Sequence, residues 1–328
     1  MNDAPKISVL ICTYNRSQTL GAAVESVAVQ SISQKLNWEI VVVDNNSPDQ
    51  TRQVVEGLQR RYPQRIRYVF ESQQGISHAR NTGIREARGE ILAFLDDDET
   101  AGTDWLQNLT ANLHTGEWAG AGGRVLPPSS FSPPRWLSNK CSFASGPLAT
   151  FDLGLEPGQL NEPAFGANMA FRKEVFDQFG GFRTDLGRTG NKMISNEDTE
   201  FGRRLMAAGL KLRYEPSALT YHPVDETRLK RQYFLNWWFN KGRSDVRELG
   251  NLASRKTVFG FPLRLFRALP WAVIRWLVNI EPIQRFAWKI EVWNCAGQFI
   301  ESYHQRLEAK RKRLVPVAKN WPPVKGTS

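Results

Sequence analysis

The N-terminal third of the chain alternates between two hydrophobic periodicities, and few folds accept that alternation. Short apolar runs occur at residues 7–12, 39–44, 66–70 and 91–95. Between them apolar residues recur at helical spacing: Leu20, Val24 and Val27 after Ser17, then Val54, Val55 and Leu58 after Asp49. Short apolar runs read as buried strands and 3.6-residue spacing as amphipathic helices, with Ser17 and Asp49 suited to cap them. Strands alternating with helices build a mainly parallel sheet covered on both faces. In such sheets ligands collect beyond the carboxyl ends of the strands. Polar groups stand at those ends here: Thr13-Tyr14-Asn15-Arg16, then Asp44-Asn45-Asn46, then Asp96-Asp97-Asp98-Glu99.

The pattern continues with a helix over 77–88, a helix opened by Thr103 and carrying Leu106, Leu109 and Leu113, and a Pro-, Ser- and Gly-rich loop over 126–163. A strand is predicted at 164–171, a helix at 196–208 stopped by Gly209, and short strands at 212–214 and 219–222. The 328 residues suffice for one large domain, or for one domain with an appendage.

Four carboxylates in succession after an apolar strand demand an explanation. Crowded acids raise one another's pKa. A hard divalent cation, Mg²⁺ or Mn²⁺, resolves the crowding because it takes oxygen ligands and bridges to phosphates. The competing explanation is a solvated acidic loop capping the next helix. No G-x-G-x-x-G follows the first strand, which counts against a dinucleotide-binding oxidoreductase. The glycines at 120–123 lack a following helix and are rejected as a phosphate loop.

Taken in order, these segments resemble family 2 glycosyltransferases. ISVLICTYNR at 7–16 is similar to that family's opening strand, and IVVVDNNS at 40–47 to its second strand and uridine-contacting turn. GISHARNTG at 75–83 with GEILAFLDDD at 89–98 resembles its third helix and D-x-D segment. FGANMAF at 165–171 and NEDTEFGRRL at 196–205 resemble its acceptor-side strand and E-D helix. The resemblance implies a GT-A fold (a Rossmann-like α/β nucleotide-diphospho-sugar transferase) over 1–227; beyond it, 228–328 reads from its own composition as a basic helical extension. It implies sugar transfer with inversion from a nucleotide-diphosphate donor, UDP being favoured. Thr13, Tyr14, Asn15, Arg16, Asp44, Asn46, Arg80, Asp96 and Asp97 would bind the donor. Asp98 and His222 would hold Mn²⁺ or Mg²⁺. Asp198, with Glu197 beside it, would act as general base. The acceptor would be a glycan or a polyprenyl-diphosphate-linked sugar, in cell-surface polysaccharide or glycoconjugate synthesis.

Each residue also has a structural reading. Ser195 to Asp198 can form a capping box. Asp44 can cap its own turn, and Arg80 can be a helix-surface cation. His222 can be a strand-end histidine, and Asn168 can bond neighbouring backbone. A nucleotidyltransferase, or a scaffold of the same fold that binds sugar or membrane without catalysis, are the alternative functions. The first would ordinarily carry a Gly-rich basic loop after the first strand, and CTYNRS is not one.

Charge divides the chain. Residues 1–227 hold 23 Lys and Arg against 27 Asp and Glu, whereas 228–313 hold 18 against 6, and seven of the eleven tryptophans lie beyond 227. At 100° per residue, Arg264, Arg267 and Arg275 fall on one side of a helix over 264–277, with Leu265, Leu269, Ala272, Val273 and Trp276 on another. Pro270 would kink it. Basic, Trp-bearing amphipathic segments suit an anionic membrane interface, so peripheral contact with the cytoplasmic face of a membrane is the expectation, the alternative being helices packed on the catalytic body with their arginines in water. No nucleic-acid module is recognisable. Three widely spaced cysteines and a polar start at 1–6 point to a reducing, cytoplasmic setting.

Overall fold

A computed structural model describes residues 5–30, 37–137, 141–190, 192–250, 257–258 and 261–314, with side chains to residue 310. The tail cations Lys319 and Lys325 lie outside the described residues. The strands are β1 (Ile7–Thr13), β2 (Trp38–Asp44), β3 (Ile66–Phe70), β4 (Ile91–Leu95), β5 (Thr100–Ala101), β6 (Gly120–Leu126), β7 (Gly158–Gln159), β8 (Asn168–Arg172), β9 (Leu212–Tyr221), β10 (Thr257–Val258) and β11 (Phe261–Pro262). The helices are α1 (Ser17–Ala28), α2 (Thr51–Arg61), α3 (Ile76–Glu86), α4 (Trp105–Thr110), α5 (Ser145–Leu148), α6 (Glu174–Phe179), α7 (Glu197–Ala207), α8 (Arg231–Leu249), α9 (Leu265–Val278) and α10 (Pro282–Leu314).

The main sheet runs β3-β2-β1-β4-β8-β6-β9-β5, with β7 against β9. The first four strands are parallel, as their alternation with helices requires. Beyond them the sheet is mixed. β8 starts at the carboxyl end of β4, with Asn168 opposite Leu95, and so runs antiparallel to it. The two short strands expected at 212–214 and 219–222 are one strand. Its register against β6 jumps from Glu215 to Leu219, across Pro216, which has no N–H for the ladder.

The parallel strands are buried on both faces. Ile7, Val9, Ile11, Ile40, Val42, Ile91 and Ala93 face Leu20, Val24 and Val27 of α1 and Val55 and Leu58 of α2. Leu10, Val41, Val43, Leu92 and Phe94, one residue out of phase, face Ala79 of α3 and Phe201 and Leu205 of α7. The period of two along each strand is what splits these sets. Phe176 stacks flat on Phe201, ring centroids 4.6 Å apart.

Of the two capping residues that the sequence suggests, Asp49 serves at the start of α2 and Ser17 does not serve at the start of α1. Ser17 is the first helical residue of α1 and does not cap it. Its N–H instead donates to Asp49 Oδ2 at 2.9 Å, while Asp49 Oδ1 accepts from the N–H and hydroxyl of Thr51. One carboxylate thus serves the N-termini of both α1 and α2. The glycines of β6 are explained by packing: a Cβ on Gly120 would collide with the Phe171 ring, and one on Gly123 with the Ala218 carbonyl.

The 126–163 segment and the C-terminal helices share a third apolar cluster, in which Leu137, Phe143 and Leu148 pack on Phe234, Leu235, Phe286 and Ile290. Packing therefore crosses residue 227 without a break. Among the described residues no helix is long and apolar enough to cross a membrane.

Candidate active site

The carboxyl ends of β1 and β4 open into a cavity of about 470 Å³. Its lining includes Thr13, Tyr14, Asn15 and Arg16 from β1, Asp96, Asp97 and Asp98 from β4, Arg80 from α3, Glu197 and Asp198 from α7, and His222 after β9. Eleven of the thirteen residues singled out in the sequence therefore meet in one place. The other two, Asp44 and Asn46, are not part of the lining. Asp44 is buried, accepting from the Ser47 N–H at 2.9 Å and the Tyr68 hydroxyl at 2.7 Å, so it shapes its own turn. Asn46 is exposed and takes a left-handed backbone, φ 63°. Its neighbour Asn45 lines the cavity instead, bracing the loop ahead of α3 through the Gln73 carbonyl and the Gly75 N–H, each at 2.7 Å.

Arg80 is not a surface cation. It is 4% exposed and its guanidinium sits beneath the acids. Nη1 donates to Glu197 Oε1 at 2.8 Å, and Nη2 to the Gly166 carbonyl at 3.1 Å and to Asp96 Oδ1 at 3.5 Å. Glu197 is thereby engaged in holding Arg80. Burial pushes Glu197 up to about 7, with the Asp198 charge adding to the rise and Arg80 opposing it.

Asp98 stands among cations. Its Oδ2 lies 3.0 Å from Arg16 Nη1 and 4.0 Å from Arg228 Nη2, and its Oδ1 lies 3.6 Å from His222 Nε2. Asp97 is pushed up to about 7 by burial and by Asp98, against the Thr13 hydroxyl and Arg16. Glu99 is not part of the lining and is fully buried. Burial, then Asp96 and Asp98, push its carboxyl well above the usual carboxylate range. The crowding inferred from the sequence is real: Asp98 raises Asp97, and Arg16, Arg80 and Arg228 stand among the acids.

Among the described residues no three His, Cys, Asp or Glu side chains gather as a ready metal cage. Asp98 and His222 offer two donors facing each other. Burial depresses the His222 pKa despite Asp98, which favours the neutral imidazole, and its Nε2 faces the Asp98 carboxylate. One carboxylate and one imidazole, with the remaining positions taken by phosphate oxygens and water, is a donor set that fits Mg²⁺ or Mn²⁺.

Asp198 is positioned by its backbone surroundings. Its Oδ2 accepts from the Gly166 N–H at 2.7 Å and its Oδ1 from the Thr199 N–H at 2.6 Å. A Cβ on Gly166 would overlap the carboxylate, so only glycine allows this approach. The capping box expected at 195–198 is absent: Asn196 precedes α7 in a left-handed conformation, φ 78°, and its amide reaches Asp245 and Glu248 of α8. Asn168 bonds Trp105 Nε1 and the carbonyls of Arg124 and Ala218, which makes it a sheet brace. Cys12 also lines the cavity, but burial pushes its thiol up to about 12, so it is no nucleophile at neutral pH.

Arg188, Arg228, Trp237 and Lys241 line the same cavity and were not singled out in the sequence. Trp237 and Lys241 belong to α8, so the extension beyond 227 completes the site. Their only signal was the basic, Trp-rich composition of that region.

Acids and arginines thus face one crevice at the carboxyl ends of the parallel strands of an α/β sheet. The chain belongs to glycosyl transferase family 2, whose family model matches residues 8–180. It is 29% identical over 253 residues to the succinoglycan biosynthesis protein ExoM of Rhizobium meliloti, covering 77% of this chain and 78% of that protein. It is 27% identical over 245 residues to the glucosyl-dolichyl phosphate glucuronosyltransferase of Haloferax volcanii, covering 71% and 74%. In fold it is similar to the mannosyltransferase PcManGT of Pyrobaculum calidifontis, solved with GDP-Man and Mn²⁺. The TM-score is 0.61, the sequence identity 18%, and 93% of this chain and 89% of that one are covered. The GT-A fold expected from the sequence is thus the fold observed.

Proposed function

We propose that the chain is an inverting, metal-dependent glycosyltransferase. It moves a sugar from a nucleotide-diphosphate donor to a hydroxyl of a glycan or lipid-linked acceptor in polysaccharide or glycoconjugate synthesis. The observation that carries the proposal is the single cavity in which Asp98, with Arg16, Arg228 and His222 about it, shares a lining with the backbone-oriented Asp198. Relatives named for succinoglycan biosynthesis and for transfer onto a dolichyl phosphate sugar support the acceptor class.

Arg16 and Arg228 neutralise the donor diphosphate, and Arg188 adds a third cation to the same lining. A divalent ion held by Asp98 and His222 would supply further charge neutralisation at the leaving group when bound. Asp198 accepts the proton of the acceptor hydroxyl as its oxygen attacks the anomeric carbon. The bond from that carbon to the diphosphate breaks on the opposite side, and the nucleoside diphosphate departs with the electron pair. One displacement inverts the centre and needs no covalent sugar–enzyme intermediate, in keeping with the inert Cys12. Uridine is the base to test first. That choice rests on the likeness of residues 40–47 to the family's uridine-contacting turn, since Asp44 itself lies outside the cavity lining.

A panel of nucleotide sugars with Mn²⁺, read by thermal shift and then by turnover, tests the proposal. The true donor should raise Tm by mass action. Asp98→Ala should remove metal-dependent donor stabilisation, and Asp198→Asn should retain it while losing transfer. A folded protein that no donor stabilises and that turns none over would favour a non-catalytic scaffold. Normal turnover by Asp198→Asn would refute the assigned base.

A further inference from the structure

The side of α9 that the sequence marks as apolar is the side that folding uses. Leu265 and Ala272 are buried, Leu269, Val273 and Trp276 are half-buried, and Trp276 meets Trp293 of α10 edge-on at 6.3 Å. The opposite side is apolar as well. Phe266, Trp271, Ile274, Leu277 and Val278 are 43–62% exposed, and Ile280, just past the helix, is 94% exposed. A soluble monomer seldom leaves so many large apolar side chains open in one short stretch.

The same outer arc carries the arginines. At 100° per residue, Arg267 falls between Ile274 and Val278, and Arg264 and Arg275 follow one another beyond Trp271. The Arg275 guanidinium sits over the Trp271 ring at 5.1 Å and the Trp288 ring at 5.5 Å. Among the described residues no carboxylate lies within ion-pair distance of Arg267, Arg275 or the exposed Arg285. The nearby acid Glu281 is turned to the start of α10, accepting from the Ile283 and Gln284 N–H groups.

An apolar strip edged by uncompensated cations complements a hydrocarbon phase under an anionic layer. Two such faces from two copies would set like charges against each other, which disfavours self-association. We infer that α9 lies on an anionic lipid surface, with Trp271, Ile274, Leu277 and Val278 inserted at the headgroup boundary and Arg267 and Arg275 reaching the lipid phosphates. This assigns membrane contact to one face of one helix. It does not depend on the glycosyl-transfer reading.

The test is co-sedimentation of the full chain with phosphatidylcholine vesicles, with or without phosphatidylglycerol. The wild type should bind the anionic vesicles and only weakly the neutral ones. The Trp271→Ser/Ile274→Ser/Leu277→Ser variant should lose binding at least about tenfold. Arg267→Glu/Arg275→Glu should weaken it and blunt its salt dependence. Donor-induced thermal stabilisation should be the same in all three proteins, which separates this outcome from any failure of the catalytic proposal. Absent binding by the wild type, or equal binding by the triple variant, would overturn the inference. So would a wild-type dimer that the triple variant converts to monomer, because the occupant would then be a second copy.

Discussion

The side-chain amide of Asn196 donates to Glu248 Oε2 at 2.6 Å, so the turn that launches α7 is fixed by α8, 52 residues further along. Arg203 pairs with the other oxygen of the same buried carboxylate, and the Ser195 N–H donates to Ser244 Oγ at 2.9 Å. The proposed base Asp198 thus inherits its place from the C-terminal region. Glu248→Ala should cost about 2 kcal/mol in urea unfolding, the scale of losing hydrogen bonds to a buried charge. It should also lower kcat more than it raises KM. Unchanged stability would show that α8 merely leans on α7.

Gly166 and Asp198 test positioning at the reacting end. In Gly166→Ala the added methyl displaces the carboxylate that the Gly166 N–H now holds. Misplacing a catalytic group by an ångström costs on the order of 10²-fold. Steady-state kinetics should show that loss in kcat, while donor stabilisation in thermal shift persists. Equal loss of donor stabilisation would place Gly166 in the donor pocket instead.

Asp49 couples two helices, and its removal should register in stability. Burial pushes its pKa up, but the hydrogen bonds from Thr51 and Ser17 outweigh this and hold it below the ordinary value of 3.8. A depressed acid stabilises the fold above its unfolded pKa and loses that contribution as pH falls through the folded one. Asp49→Ala should therefore cost about 1 kcal/mol at pH 7. The gap to wild type should close in unfolding measurements carried below pH 3.8. A gap that persists in acid would mean that packing, not the carboxylate, is lost.

Glu197 behaves in the opposite sense. Its pKa is raised from 4.5 to about 7, so the folded protein binds the extra proton and wild-type stability falls as pH rises across that window. Glu197→Gln should lack this slope. Relative to the variant, the wild type should thus be more stable near pH 4.5 than near pH 7. Parallel stability curves for the two would show that the Arg80 ion pair cancels the burial.

Arg80 is the buried cation on which the acids lean. Arg80→Met should destabilise by about 3–5 kcal/mol, the cost of leaving buried carboxylates uncompensated. Double substitution with Glu197→Gln should recover part of it, as chemical denaturation of the four proteins of that cycle would report. Additive losses would indicate that the two residues do not depend on each other.

Where local periodicity governs, the sequence alone determined the outcome. The apolar runs at 7–12 and 91–95 are strands, and the polar residues directly after them, Thr13 to Arg16 and Asp96 to Asp98, line the cavity. They sit there because a parallel α/β sheet gathers its strand ends on one edge. Tertiary structure decided what no local pattern encodes. It chose Asn45 over Asn46 for the lining, turned Asp44 to Tyr68, sank Arg80 beneath Glu197, and brought Trp237 and Lys241 in from α8. It also selected which of two apolar sides of α9 to bury. Each outcome depends on which distant surface is already occupied, and that is settled only when the chain packs.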